Sequence, residues 1–401
     1  MITISRKENC CGCSACLNIC PVDAITMTPD NQGFFYPAVN SSLCVECGKC
    51  EAVCPIIQRV QEKECEQDAY LLQNRDRKIL SESTSGGAFT AIARAILEKG
   101  GVVFGAGFDE NFKVIHKYTE DVSGLKEFRN SKYVQSDKRR TFREVKNFLR
   151  EKRYVCFSGT PCEIEGLLNF LGSERNSPFL VTIDIVCHAV PSPAVWNAFL
   201  NIERAKNDDV INLRFRDKTK YGYAYSQFAV LRKNSPNTYE GIETNIMMRA
   251  FFSNVCDRPS CYECAFKKRY RRSDFTLWDC WDASKFSRSR EFDQNAGITR
   301  MLIHTEKGKN FLREVLSQCV HEKISPDDAV KYSAKELTHS VIRDDERSKK
   351  FWSSFQDEPE ETLRKFFPQT FKTKLEAFLR RLAWKSGAYS LVRGTYKKLF
   401  G

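Results

Sequence analysis

One cysteine pattern occurs twice near the N-terminus of this chain. The spacing C-x2-C-x2-C-x3-C-P appears once and then again 34 residues later, with all four cysteines and the proline repeated. This spacing binds bacterial-type [4Fe–4S] clusters, and the fourth cysteine of each copy ligates the other cluster. The pattern therefore predicts a small, α+β, ferredoxin-like N-terminal domain that holds two clusters.

Each predicted cluster takes three ligands from one copy of the pattern and a fourth from the other copy. A zinc site would need only one such half, usually as two separated cysteine pairs. Disulfides are a poor alternative, because eight cysteines packed this closely would pair promiscuously. The expected ligands are Cys10, Cys13, Cys16 and Cys54 for the first cluster, and Cys20, Cys44, Cys47 and Cys50 for the second.

Composition limits the remaining classes. The hydrophobic share of 42% and the charged share of 28% are typical of globular proteins, and 401 residues predict two or three domains of about 150 residues each. No stretch approaches the ~18 apolar residues of a membrane span, and the first residues lack the apolar core of a signal peptide. Eighteen cysteines in ligand spacings favour the reducing cytoplasm.

Hydrophobic periodicity divides the chain further. Residues 1–57 form the ferredoxin-like unit, and a charged connector with an incidental thiol, Cys65, follows. From residue 69 strands alternate with helices, which predicts an α/β domain. Strands are expected at 69–73, 102–108, 113–118, 154–158 and 181–186, and helices at 88–99, 142–150, 163–171 and 308–319.

The C-terminal segment is basic. Residues 361–401 hold ten Lys or Arg against two Glu, so they carry most of the net charge of +12. Apolar residues recur at helical spacing over 371–384, with Lys and Arg between them, which predicts a basic amphipathic helix. Such a helix either lies on an anionic membrane surface or packs against the body or a partner.

Two turns are candidate ligand sites. Ser83-Thr-Ser-Gly-Gly87 opens a helix, where paired glycines allow close backbone approach and the first-turn N–H groups favour an anion; ordinary N-capping is the alternative. Gly159-Thr-Pro-Cys162 joins a strand to a helix, at the edge where ligands bind in open α/β sheets. A capped helix with a buried cysteine would give the same pattern.

A second metal-like group is Cys261-x2-Cys264, with Cys256 upstream and a basic run, 267–272, downstream. Zinc would fit two close cysteines, but Cys162 and Cys187 at predicted strand ends favour a third iron–sulfur cluster. The basic run either attracts an anionic ligand or is solvated. It forms no known recognition motif, so we expect no nucleic-acid partner.

In this order, these segments resemble the beta subunit of coenzyme F-420-reducing hydrogenase and dehydrogenase, in the version with an N-terminal two-cluster ferredoxin; F-420 is a deazaflavin. The resemblance covers most of residues 1–355. Its landmarks are Ser83-Thr-Ser-Gly-Gly87, Ser131-Lys-Tyr-Val-Gln-Ser136, Phe157-Ser-Gly-Thr-Pro-Cys162, Asp184-Ile-Val-Cys-His188 with Pro191-Ser-Pro193, and Arg258-Pro-Ser-Cys-Tyr-Glu-Cys264 with Arg272-Ser-Asp274.

The resemblance implies an α/β flavoprotein domain over 69–355 that binds FAD and a third [4Fe–4S] cluster, followed by a basic helical tail over 360–401. The implied third-cluster ligands are Cys162, Cys187, Cys261 and Cys264, with Cys256 in reserve. The flavin-binding candidates are Ser83, Ser85, Gly86, Gly87, Lys132, Tyr133, Gly159 and Thr160.

Two segments depart from the family pattern. Cys187-His188-Ala189 stands where the family has Cys-His-Gly. Trp278-Asp-Cys-Trp-Asp282 stands where it has Gly-Asp-Phe-Trp-Gly, so both glycines are lost and backbone approach to a cofactor should change there. We expect Cys280 to fill the Phe position as a small hydrophobe.

We therefore expect an iron–sulfur flavoprotein oxidoreductase that acts on a small organic substrate or on coenzyme F-420. His188, at a predicted strand end, is the candidate proton donor; a structural histidine is the alternative. A non-catalytic electron-transfer subunit of a larger redox complex is the second interpretation, and the altered segment 278–282 favours it. Either protein would meet an electron-donor protein or a partner redox subunit.

Overall fold

The computed structural model describes residues 1–389 except 208, 288 and 332. Three basic residues of the predicted tail, Arg393, Lys397 and Lys398, lie outside the described residues. Across the described range, no helix combines the length and the apolar character needed to cross a bilayer.

The N-terminal unit is a small α+β fold, as the cysteine repeat predicts. Strand β1 (Ile25–Pro29) pairs antiparallel with β2 (Phe35–Val39), and the short helices α1 (Ala15–Ile19) and α2 (Lys49–Ala52) each carry the third cysteine of one copy. Its own core consists largely of cysteines, with Ile2 and Ile25 beside them. A unit this small buries little apolar surface, so we expect bound clusters to contribute much of its stability.

An eight-stranded mixed sheet forms the centre of the remaining chain, in the order β13-β3-β12-β11-β7-β6-β4-β5. Strands β11, β7, β6 and β4 are parallel, and antiparallel strands complete both edges. The strands are β3 (Asp68–Asn74), β4 (Val102–Phe108), β5 (Val114–Thr119), β6 (Val155–Gly159), β7 (Leu180–Ile185), β11 (Phe275–Asp279), β12 (Thr299–Ile303) and β13 (Cys319–Ile324).

Helices cover both faces of this sheet. Alternate residues of one strand point to opposite faces: Val103 belongs to the core under α4 and α9, whereas Val102 and Phe104 belong to the core under α5 and α6. The arrangement confirms the mixed α/β class. These helices are α3 (Arg77–Glu82), α4 (Ala88–Leu97), α5 (Thr141–Arg150), α6 (Pro161–Leu171) and α9 (Glu306–Ser317).

A second layer packs beside the sheet around an aromatic core that includes Trp196, Phe215 and Trp352. Phe34 and Tyr36 of the N-terminal unit belong to the same core. The layer contains α7 (Pro193–Lys206), β8 (Val210–Asp217), β9 (Gln227–Arg232), β10 (Thr238–Glu240), α8 (Ile246–Phe252), α12 (Asp345–Phe355), α13 (Pro359–Phe366) and α14 (Phe371–Lys385). Two short helices, α10 (Pro326–Lys331) and α11 (Ala334–Thr338), instead pack on the central sheet against Ala69 and Leu302.

The elements expected from the sequence are present, with small differences at their ends. Strands β11 to β13 were not predicted. Strand β11 lies in the cysteine- and aromatic-rich segment, and β12 and β13 are short antiparallel strands, so none of the three shows a clear alternation of apolar and polar residues. The predicted tail over 360–401 begins inside α13, whose Leu363 is buried in the aromatic core together with Phe367. This part of the tail therefore packs on the body.

Candidate functional site

The first predicted cysteine set lies together in the N-terminal unit. Burial raises the pKa of Cys16 well above its ordinary value, and neighbouring Cys13, Cys10 and Cys54 raise it further. Burial likewise raises the pKa of Cys54, to which Cys13 and Cys10 also contribute. Cys54 comes from the second copy of the repeat, so the structure brings the exchanged fourth cysteine to the first set. The ligand role of the four thiols stays a prediction.

The second predicted set surrounds a small cavity at the surface. Cys20, Cys44, Cys47 and Cys50 all line it, and the Ala24 amide donates a hydrogen bond of 3.3 Å to Cys20 Sγ. Cys47 is exposed, whereas Cys20 and Cys50 are buried. The second set is thus the one nearer to solvent.

Both cysteine loops repeat an unusual backbone conformation. Gly12 and Ser14 in the first loop, and Glu46 and Gly48 at the equivalent positions of the second, all have positive φ between 51° and 71°. This region is rare for Ser and Glu, and such backbone persists where the surrounding structure demands it. Two loops with the same left-handed turns can wrap around clusters of the same shape.

A third group of four cysteines forms where two strands of the central sheet end. Burial raises the pKa of Cys261 well above its ordinary value, with further contributions from Cys187, Cys264 and Cys162. Cys162 is in the first turn of α6, directly after β6, and Cys187 follows β7. Because β6 and β7 are parallel neighbours, their carboxyl ends bring Cys162 and Cys187 to one edge.

Cys256 is separate from this group. Its thiol donates to the Ala250 carbonyl at 3.5 Å and is buried in the aromatic core. Within the described part of the chain, no group of three or more His, Cys, Asp or Glu side chains is arranged to hold a metal ion. A four-iron cluster is larger than one ion and takes one thiolate at each iron. The all-thiol donor sets fit iron–sulfur chemistry.

Three residues that the sequence reasoning missed connect the first and third cysteine groups. Hydrogen bonds to Cys13 and Cys162 raise the pKa of the Cys11 thiol well above its ordinary value, so Cys11 touches one thiol of each group. A Cβ on Gly166 of α6 would lie 2.7 Å from Cys13 Sγ. Glycine is unfavourable inside a helix. Its presence at position 166 was therefore the one sequence indication that another segment approaches α6 closely there.

Arg258 is the third residue; it stands in a landmark of the family resemblance, but its role was not predicted. Its guanidinium is buried and donates to the carbonyls of Cys10 at 2.8 Å and Phe35 at 3.0 Å. It also lies 4.3 Å from the centroid of the Tyr36 ring. Since Arg258 precedes Cys261 by three residues, it ties the loop of the third group to the N-terminal unit.

Beside the third group lies a cavity of about 320 Å³, a size typical of ligand sites. It opens at the carboxyl ends of β6, β7 and β11. Thr160 belongs to its wall, and the Thr160 hydroxyl is 3.2 Å from Cys162 Sγ. The flavin candidates that line it are Ser83, Ser85, Gly87, Lys132, Tyr133, Gly159 and Thr160.

The serine–glycine loop leads the chain into α4 at the cavity wall. Gly87 is the N-cap with φ of 79°, a conformation that favours glycine. Gly86 stands just behind the wall, where a side chain would collide with the Leu72 carbonyl and the Thr299 amide. The first residues of α4, Ala88 and Phe89, line the cavity, so their N–H groups suit an anion such as a pyrophosphate.

Lys132 holds the preceding loop in place by hydrogen bonds from its side chain to three backbone carbonyls. Its ammonium donates to the carbonyls of Glu127, Arg129 and Asn130 at 2.8, 3.0 and 3.2 Å. Burial lowers the pKa of Lys132 to about 7. Tyr133 stacks on Phe251 with ring centroids 4.4 Å apart. Lys132 therefore shapes the loop that carries Tyr133.

The altered segment 278–282 contributes to the cavity. Trp278 and Asp279 line it, and among the described residues the buried Trp278 Nε1 has no hydrogen-bond partner. A buried donor without an acceptor is unfavourable, and a flavin ring carries carbonyl and nitrogen acceptors. The residues present therefore fit a flavin, despite the loss of both glycines.

His188 and His116 occupy different surroundings. The described cavity wall includes His116 but not His188. His188 Nε2 is 2.7 Å from Asn254 Oδ1, and its ring contacts Phe251 edge-on; the catalytic role of His188 stays a prediction. His116 Nε2 is 3.0 Å from the Ser158 carbonyl, which only accepts. His116 Nε2 therefore carries a proton, and burial lowers the pKa of this histidine.

The basic run 267–272 is occupied within the protein. Lys267 donates to the Cys187 carbonyl at 2.5 Å, and Arg271 pairs with buried Asp184 at 2.9 Å. Arg272 pairs with Glu165 at 2.6 Å. These contacts hold the loop of the third cysteine group against the ends of β7 and α6.

Comparisons with known proteins follow the same division of the chain. Residues 152–329 match the family model for the C terminus of the coenzyme F-420 hydrogenase/dehydrogenase beta subunit, and residues 9–56 match that for a 4Fe-4S dicluster domain. The chain is 23% identical over 198 residues to a subunit of the F(420)H(2) dehydrogenase of Methanosarcina mazei, covering 46% of this chain and 54% of that protein. The chain thus spans about half of the length of that relative.

The N-terminal part also matches ferredoxins. It is 34% identical over 73 residues to a 7Fe ferredoxin of Hydrogenibacillus schlegelii, covering 17% of this chain and 87% of that protein. It is 37% identical over 63 residues to a ferredoxin of Alicyclobacillus acidocaldarius, covering 15% and 74%. A chain of the F-420-reducing [NiFe] hydrogenase complex from Methanosarcina barkeri aligns at a TM-score of 0.46 and 16% identity, covering 73% of this chain and 92% of that one.

Proposed function

Because this chain belongs to the family of coenzyme F-420 hydrogenase/dehydrogenase beta subunits and carries an N-terminal 4Fe-4S dicluster domain, we propose that it is an iron–sulfur flavoprotein oxidoreductase. It exchanges electrons between [4Fe–4S] clusters and FAD, and it reduces or oxidises a small organic substrate or the deazaflavin coenzyme. The observation that carries the proposal is Thr160, which lines the cavity and lies 3.2 Å from a thiol of the third cysteine group.

The division of labour follows from the cavity wall. A bound flavin would supply the exchange between two-electron hydride chemistry and one-electron cluster chemistry. The N-terminus of α4 would hold the pyrophosphate, and Trp278 Nε1 would be available as a donor to the ring. Ile183 and Leu277 line the inner wall and exclude water from it.

The contacts between cysteine groups support one order of electron transfer. The second group is the exposed one, through Cys47. The first group touches the third through Cys11, and the third adjoins the cavity through Thr160. With clusters and flavin bound, this order of residues would connect an external carrier to the second, first and third cysteine groups and then to the cavity.

The rim of the second group has the character of a docking face for the redox partner. Val22, Leu43 and Val45 are exposed there, close to Cys20 and Cys44 in sequence. Exposed apolar residues that cluster around one feature mark interaction sites. The partner is an electron-donor protein or a redox subunit, and the thiol-rich chain works in the reducing cytoplasm.

His116 is the stronger candidate for handling protons at the cavity. Its Nδ1 is 2.7 Å from the Ser136 hydroxyl, which must donate because Nε2 holds the ring proton. Ser136 also lines the cavity. His116 thus orients the Ser136 hydroxyl so that its oxygen can accept a hydrogen bond from an N–H or O–H group of the substrate.

The test is the flavin and iron content of anaerobically purified full-length protein. We expect about one FAD and about twelve irons per chain, the sum for three four-iron clusters. About eight irons without flavin would refute the enzyme assignment and leave the second interpretation, a non-catalytic electron-transfer subunit. Reduced F-420 and reduced ferredoxin are then offered separately to the intact protein, and bleaching of the flavin identifies the donor.

Matched cysteine variants test the third cluster. Cys187→Ser is expected to lose about four irons and to keep the signals of the other two clusters. Cys256→Ser is the control, because its thiol contacts the Ala250 carbonyl, and it should keep all of them. If Cys256→Ser loses the iron and Cys187→Ser does not, the proposed ligand set is wrong.

A further inference from the structure

Helix α14 (Phe371–Lys385) turns four of its large apolar side chains to solvent. Phe371 is 81% exposed, Leu375 39%, Phe378 62% and Leu382 54%. They recur at spacings of four, three and four residues, so they form one stripe along the helix. A surface helix of a globular protein normally buries such a stripe.

Polar contacts fix the opposite face of α14 on the body. Glu376, Ala377 and Arg380 are buried. Arg380 pairs with Glu376 at 2.6 Å and donates to the Tyr389 hydroxyl at 2.9 Å. It also lies 3.8 Å from the buried carboxylate of Glu243. Leu379, Ala383 and Trp384 pack against buried Tyr225 on the same side. Both the ion pairs and these apolar contacts therefore hold the stripe of Phe371, Leu375, Phe378 and Leu382 outward.

The charged residues of α14 that border the exposed stripe are all cations. Lys372, Lys374 and Lys385 are exposed, and Arg381 is half-buried. The helix contains one acidic residue, Glu376, and it is turned inward. Phe and Leu on one side with Lys and Arg beside them are the composition of helices that lie in the lipid headgroup region.

We propose that α14 binds an anionic membrane surface, with Phe371, Leu375, Phe378 and Leu382 inserted among the acyl chains and the lysines at the phosphates. Nearby basic residues add electrostatic attraction to anionic lipids. This inference goes beyond the proposed redox function, since it concerns where the protein works. A soluble partner protein would need acidic groups around an apolar groove, and the same experiment separates that case.

The experiment is co-sedimentation of the intact, anaerobically purified protein with vesicles. One set contains phosphatidylcholine with about a third phosphatidylglycerol, and the other contains phosphatidylcholine alone; the anionic set should bind the protein, less so at high salt. The variant F371S/F378S should lower the bound fraction about tenfold. The control I342S, at a residue 87% exposed elsewhere, should bind like the parent.

Unchanged iron content and unchanged thermal unfolding show that both variants fold. Equal binding by F371S/F378S and the parent, or no binding by the parent to anionic vesicles, overturns the proposal. So does a parent dimer that F371S/F378S dissociates in size-exclusion chromatography, because a second copy then covers the stripe. Redox activity of the variants stays at the parent level, so failure here is distinct from failure of the proposed function.

Discussion

Replacing Gly166 with alanine should separate the first and third clusters. The new methyl group would lie 2.7 Å from Cys13 Sγ and 2.8 Å from Cys13 Cβ, whereas ordinary contact begins at 3.4 Å. Rotation of the cysteine relieves only the sulfur, because the backbone fixes Cβ. Helix α6 and the cysteine loop must therefore move apart by 0.6 Å, the difference between 3.4 Å and the 2.8 Å contact with Cβ. Overpacking of this kind costs about 1–3 kcal/mol.

The control is Gly308→Ala in α9. Its methyl group would lie 2.9 Å from Ile303 Cγ2 and 3.0 Å from the Asp274 carbonyl, so it also crowds a helix against the sheet. Both variants gain the same intrinsic helix preference, about 0.5–1 kcal/mol, which cancels in the comparison. Thermal unfolding measures the stability of each, and electron paramagnetic resonance of the reduced protein measures magnetic coupling between clusters.

We expect both variants to be destabilised, while Gly166→Ala alone weakens the coupling and slows reduction of the flavin from the N-terminal clusters. Unchanged coupling in Gly166→Ala would refute the close approach of Cys13 to α6. Equal changes in both variants would show that general loosening of the fold, rather than this contact, governs the coupling.

Three further perturbations have defined outcomes. Burial lowers the pKa of His304 to about 3 from 6.5, so between these pH values the unfolded chain binds a proton that the folded chain does not. The free energy of unfolding should therefore fall by about 1.4 kcal/mol for each pH unit from pH 6.5 toward pH 3. The variant His304→Gln should lack this part of the pH dependence when urea unfolding is compared at pH 5 and pH 7.5. Lys138→Met breaks a buried 2.9 Å pair with Glu163 and should cost about 3–5 kcal/mol by the same assay, whereas a second change, Glu163→Gln, should restore part of it. Trp278→Phe removes the unpaired cavity donor and should weaken FAD binding about threefold to tenfold, as one hydrogen bond would, in a flavin titration; undiminished affinity would exclude that bond.

The parts of the fold that could be predicted are those that depend on the spacing of cysteines and apolar residues within a short segment. The cysteine repeat defines its loops within a few residues, and the strand and helix periods around β4 to α6 are regular. Once β6 and β7 are predicted as parallel strands, Cys162 and Cys187 must approach each other at the sheet edge. The spacing Cys261-x2-Cys264 already marked a metal-like pair, the resemblance joined it to Cys162 and Cys187, and the structure brings all four together.

Contacts between distant segments could not be predicted. Cys11 appears in the sequence as an extra cysteine in a known motif, and only the packing of the loop on α6 gives it a second neighbour. His116 lies on the edge strand β5, where no sequence motif surrounds it. His188 follows a cysteine at a predicted strand end, so it was the histidine for which a proton-donating role was predicted. For α14 the periodicity predicts an apolar stripe but not whether the stripe faces the body or the solvent. The buried Arg380 lies on the side that faces the body, so the stripe faces the solvent.

The N-terminal unit is built into the protein and is not a domain on a tether. Phe34 and Tyr36 share the aromatic core of the body, and Arg258 binds the carbonyls of Cys10 and Phe35 from the other side. On the proposed route, electrons would therefore cross gaps that the packing of the described residues holds fixed. Internal transfer should not depend on solvent viscosity, whereas the encounter with the external carrier should slow as viscosity rises.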